Sequence, residues 1–94
     1  MLHPPSRIKI EVEGATLTVP EFMHSLAYLA RVYKVGEVSP IEQMLTINID
    51  EAYGWLDTHI GDQQYGDIQV YDVTWAATKP PTLLRTLPSR RRQR

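Results

Sequence analysis

Cysteine is absent from this chain, which excludes disulfides, thiolate zinc centres and a cysteine nucleophile together. No apolar run approaches the roughly 20 residues that a membrane-spanning helix needs. The opening Met1-Leu2-His3-Pro4-Pro5-Ser6-Arg7 lacks the apolar core of a secretory leader. A cytoplasmic protein without a membrane partner is the expectation. The glycines at 14, 36, 54, 61 and 66 are isolated, so neither a dinucleotide-binding turn nor a phosphate-binding loop can be drawn. His3, His24 and His59 have no ligand spacing, and the nearest approach to a metal set is Asp57, His59 and Asp62. That group reads as polar residues around a helix end. Ser6, Ser25, Ser39 and Ser89 sit in no nucleophile-elbow context. No cofactor, no metal and no enzymatic activity are expected, because no set of catalytic roles can be filled from these residues.

The most telling deficit is of positive charge. Between Val35 and Thr78 there is no Lys and no Arg, against Glu37, Glu42, Asp50, Glu51, Asp57, Asp62, Asp67 and Asp72. Residues 1–78 hold four cations and eleven acids. Residues 79–94 hold Lys79, Arg85, Arg90, Arg91, Arg92 and Arg94 and no acid. The net charge of −1 therefore conceals an acidic body joined to a basic tail, each with its own class of partner.

What is present is enough for one folded domain. The chain has 94 residues, 43% of them hydrophobic, a composition that supports a modest core but not two. Three regions are expected: an N-terminal arm over 1–6, an acidic α+β domain over 7–77 and a Pro/Arg-rich tail over 78–94. Ile8, Ile10 and Val12 alternate with charged residues, Gly14 offers a turn, and Thr16 to Val19 is extended. Together they predict a β-hairpin. Pro20 suits the first turn of a helix, and Phe22, Leu26, Leu29 and Tyr33 follow at helical spacing. Ser39-Pro40-Ile41-Glu42 has the form of a capping box. It predicts a second helical segment over 40–60, broken or kinked near 46–50, where β-branched residues and a second candidate cap, Asp50, occur. If residues 45–49 are extended instead, the sheet gains a strand. Residues 67–76 are apolar on both faces, which predicts a last strand that is central or bulged near Tyr71. The fold class expected is α+β: a hairpin, then helices on one face of a three- to four-stranded, mostly antiparallel sheet.

Three features suggest binding. Asp57, Asp62, Asp67 and Asp72 recur every five residues, with Glu51 nearby, in a span without cations. Such a surface projects a coherent negative potential suited to a basic groove, although a solvated face that aids solubility gives the same pattern. Tyr28, Tyr71 and Trp75 are large aromatics of the kind that anchor interfaces when exposed and build cores when buried. In the tail, Arg85, Arg90, Arg91, Arg92 and Arg94 suit an acidic protein or nucleic acid, and nucleic acid is expected through the tail alone. A helix-turn-helix over 22–49 is disfavoured, because within that span no cation follows Lys34 to meet phosphates.

In size, charge, missing cysteine and missing motifs the chain resembles the small inhibitors that phages and other mobile elements direct against restriction or CRISPR systems. That resemblance implies a non-enzymatic protein-binding module in a bacterial host cell. Its acidic surface would mimic nucleic acid and block a larger protein or nucleoprotein complex with a basic groove. A virion or complex assembly subunit that uses its terminal arms, with self-association among its options, is the second expectation, and a direct nucleic-acid binder through its Arg-rich tail is the third.

Overall fold

Why the chain forms more sheet than its periodicity suggests becomes clear from its middle. The computed structural model describes residues 7–20, 25–76 and 78–89. Strands β1 (Arg7–Val12) and β2 (Ala15–Pro20) form the expected hairpin, with Ile10 opposite Leu17. Glu13 and Gly14 both take positive φ, at 50° and 85°, the conformation that matches a two-residue loop to the twist of its strands.

The first helix expected from the sequence is instead strand β3 (Leu26–Lys34). Phe22, Met23 and His24 lie outside the described residues. β3 sits inside a second, four-stranded antiparallel sheet ordered β4-β3-β5-β6, where β4 is Glu42–Thr46, β5 is Gln64–Asp72 and β6 is Thr82–Pro88. Being central, β3 is buried on both faces: Ala27 and Leu29 on one, Ala30 and Val32 on the other. A strand covered on both sides reads as a near-continuous apolar run, and a run of nine residues then also satisfies helical spacing.

The expected helical segment over 40–60 is half strand and half helix. Residues 35–41 form a connection, β4 follows, and one helix, α1, spans Ile49–His59. The break near 46–50 is where the sequence placed it, but the cap is Asn48, not Asp50. The Asn48 side chain accepts from the backbone N–H groups of Asp50 at 2.9 Å and Glu51 at 3.2 Å. The Thr46 hydroxyl donates to the Glu51 carboxylate beside it.

The strand expected over 67–76 spans Gln64–Asp72 instead and is not the last one; it is central and carries a register shift at Val70/Tyr71 against β6, as its two-faced pattern suggested. The tail does not stay outside the fold: Lys79-Pro80-Pro81 interrupts the chain, and residues 82–88 return as β6 along β5.

The described residues thus form a small α+β domain, mostly sheet, with six strands in two antiparallel sheets and one helix. Among the described residues the helical layer is α1 alone. One face of the large sheet carries the hairpin, and Ile10, Val12 and Val19 meet Ala27, Leu29, Leu45, Tyr71 and Val73 there. The other face carries α1, whose Ala52 and Leu56 pack on Ala30, Val32 and Ile68.

Candidate docking surface

Beyond the hairpin core, the alternation of β3 and β5 places Arg31, Tyr33, Tyr65 and Asp67 on the same face of the sheet. Asp67, one of the acids expected to project toward a partner, is turned inward. Arg31 Nε approaches its carboxylate at 3.6 Å, and the Tyr33 hydroxyl donates to it at 3.3 Å. Burial raises the Asp67 pKa above the usual carboxylate range, against the pull of Arg31. Burial, then the Asp67 charge, pushes the Tyr33 phenol up to about 12. The Tyr33 ring stacks on Tyr65 at 4.9 Å between centroids, and the Arg31 guanidinium lies 5.1 Å from the Tyr33 centroid. These contacts tie the end of β3 to the first half of β5.

The other acids separate. Asp57 is exposed on α1, and Asp62 is exposed in the turn after it. Asp72, at the far end of β5, accepts from the Thr74 N–H at 2.9 Å, and that bond holds its pKa below the usual range. The five-residue recurrence therefore spans a helix, a turn and two positions of one strand, with Asp67 held by Arg31 and Tyr33. Glu51 is exposed at the start of α1. Of the aromatics, Tyr71 is core and Tyr28 is half-buried under α1. Trp75 is 64% exposed. Trp55 stacks on His59, whose ring nitrogen lies 2.8 Å from the Trp55 carbonyl oxygen. That geometry seats His59 on its own helix instead of among ligands. Arg85 is exposed on β6, while Arg90, Arg91, Arg92 and Arg94 lie outside the described residues.

A different surface emerges from residues 35–41, read from sequence as a helix start. Val35, Val38 and Ile41 are exposed, Val38 by 91%, and Tyr65 stands beside them at 38%. This loop is held by backbone bonds. Glu37 N–H donates to the Lys34 carbonyl at 3.0 Å, closing a turn whose third residue, Gly36, has φ 90°. Such a position favours glycine. Val35 N–H reaches the Gln63 carbonyl at 2.9 Å, Ile41 N–H the Val32 carbonyl at 2.8 Å, and the Tyr65 hydroxyl donates to the Glu37 carbonyl at 2.9 Å. The loop is thus fixed in shape while its apolar side chains face water.

Glu37 and Glu42 are exposed in or next to this loop, Asp62 precedes Gln63, whose carbonyl holds Val35, and Lys34 and Arg31 are cations at this end. Next to Ile41 a groove of about 370 Å³ runs to the hairpin turn, lined by Glu13, Arg31, Pro40, Ile41, Glu42 and Gln43. Gln43 Nε2 donates across it to the Glu13 carbonyl. The groove lining combines two carboxylates and one guanidinium with the apolar side chains of Pro40 and Ile41. Only its acidic rim was visible in the sequence, as the cation-free span beginning at Val35. Compared with models of protein families, with curated proteins and with solved structures, the chain matches none.

Proposed function

We propose that this chain is a non-enzymatic protein-binding module that docks through the end of the molecule formed by residues 35–42, Asp62 and Tyr65. The observation that carries the reading is the pairing of a fixed backbone with exposed apolar side chains at Val35, Val38 and Ile41. Exposing such residues has no folding benefit. A loop already held in one shape loses little entropy when a partner covers it, and contiguous exposed apolar groups with a polar rim mark interaction sites. Glu37, Glu42 and Asp62 define the partner's complement: an apolar pocket bordered by Lys and Arg. The concrete form of the proposal is an inhibitor of mobile-element origin. It would occupy the basic groove of a nucleic-acid-binding bacterial complex and exclude the nucleic acid.

The test uses immobilised wild-type chain and the double variant Val38→Asp/Ile41→Asp, both confirmed as folded by thermal melting. A bacterial lysate is passed over each at about 0.05 M and about 0.5 M salt. A partner held by wild type at low salt, released at high salt and not held by the variant is the expected outcome. Equal capture by both forms overturns the proposal. The groove version is then read by competition: wild type should displace a labelled oligonucleotide from the purified partner. Simultaneous binding of chain and oligonucleotide removes the inhibitor reading and leaves the docking surface standing.

A further inference from the structure

The two edges of the four-stranded sheet differ. At the β4 edge the hairpin turn lies close by, and Gln43 Nε2 on β4 bonds to the Glu13 carbonyl. Along the outer edge of β6 no strand pairs among the described residues. Apart from half-buried Leu87, β6 is exposed throughout. We propose that this edge accepts, as a fifth strand, an extended acidic segment of a partner protein.

Backbone direction supplies the first argument. Ser89 N–H donates to the Gly66 carbonyl, so residue 89 turns its polar groups toward β5. In an antiparallel ladder these groups alternate. Leu87 and Arg85 therefore also turn inward, and Thr86 and Pro88 turn outward. Pro88 lacks an N–H, so its place on the outer edge costs the sheet nothing. Thr86 is left presenting both a donor and an acceptor to solvent between Pro81 and Pro88. The side chains supply the second argument. Leu83 and Leu84 are 48% and 51% exposed, and the register shift leaves Leu84 unmatched between Leu83 and Arg85. A strand added here would cover them, as strand addition uses main-chain bonds for affinity and flanking side chains for choice.

Charge selects the occupant. Residues 79–94 contain six cations and no acid, and Lys79 and Arg85 are exposed. A second copy is the poorer match, because laying two β6 edges together sets one cationic segment along another. An acidic strand meets the same residues with opposite charge. This site shares no residue with the docking end at 35–42, so either can fail alone.

The experiment titrates the full chain against a fluorescein-labelled peptide of about ten residues alternating valine and glutamate. A valine–lysine peptide and a short oligothymidylate serve as competitors of other chemistry. The valine–glutamate peptide should bind, and raised salt should weaken it. Thr86→Pro, which removes the outward donor and no ladder bond, and Arg85→Glu should each weaken it about tenfold or more. Amide exchange at Thr86 should slow about tenfold on peptide addition, with Leu87 unchanged. Equal affinity for folded Thr86→Pro, unchanged exchange at Thr86 or tighter binding of the oligothymidylate each overturns the proposal. A peptide-excluding homodimer in sedimentation equilibrium does so as well. Should Thr86→Pro not fold, Arg85→Glu and the exchange measurement on wild type decide the matter.

Discussion

Gly66 shows how much one atom decides here. A Cβ at this position would lie 2.8 Å from Ile60 Cδ1, 2.9 Å from Leu56 Cδ2 and 3.0 Å from the Arg31 carbonyl oxygen. The end of α1 therefore rests directly on the β5 backbone. Two of those neighbours are side-chain ends that can turn aside, but the third is backbone and cannot. Gly66→Ala is expected to cost about 1–3 kcal/mol by overpacking, seen as a lowered urea midpoint with the slope unchanged. An unaltered midpoint would mean that α1 is not seated on this glycine. Asn48→Ala should cost about 1 kcal/mol, because two N–H groups at the start of α1 lose their acceptor, and Asn48→Asp should restore most of it. The sequence pointed to Asp50 as the cap, and the structure places Asn48 there instead. The difference lies in which side chain meets the two following amides, a matter of local backbone geometry.

At the scale of elements, the hairpin and the two-faced β5 were legible because alternation and a turn glycine are local signals. β3 was not. Its burial on both sides comes from partners distant in the chain, and Leu26, Leu29 and Tyr33 satisfy a helical stripe equally well. The loop at 35–41 was hidden for a related reason: Ser39-Pro40-Ile41-Glu42 carries real capping chemistry, but Ile41 N–H bonds to Val32 and draws the chain into β4 instead. The candidate site was legible only as an acidic, cation-free span. Which acids stay exposed depends on pairings such as Arg31 with Asp67, which no spacing rule reveals. β6 was hidden by its flanking prolines and arginines, which give the tail a disordered composition. Its role can be measured. A chain ending at Thr78 should lose at least about 2 kcal/mol of stability, as the β5–β6 ladder goes and Leu87 leaves the cluster around Ile68. Equal urea midpoints for the full and shortened chains would show that β6 is a tether and not part of the fold.

For the whole molecule, the layered arrangement concentrates ionisable groups between the hairpin and the open end of the sheet, and this makes stability depend on pH on the alkaline side. Tyr33 is 4% exposed and Tyr71 6%. Both phenols are raised above their ordinary value, first by burial and then by nearby carboxylates, Asp67 for Tyr33 and Glu13 for Tyr71. The unfolded chain loses these protons near pH 10, while folded Tyr33 keeps its proton to about 12. Between those values the folded state binds more protons than the unfolded one. Stability is therefore full below pH 10 and falls as pH rises toward 12, by at most about 1.4 kcal/mol per pH unit for each phenol. Arg31 stays charged through this range, so the loss belongs to the phenols. Urea midpoints between pH 9 and pH 11.5 should decline for wild type and decline less for Tyr33→Phe, which keeps the stack on Tyr65 and gives up the bond to Asp67. Parallel curves for the two proteins would show that Tyr33 ionises as freely in the folded state as in the unfolded one, and that the Arg31–Asp67–Tyr33 group is open to water.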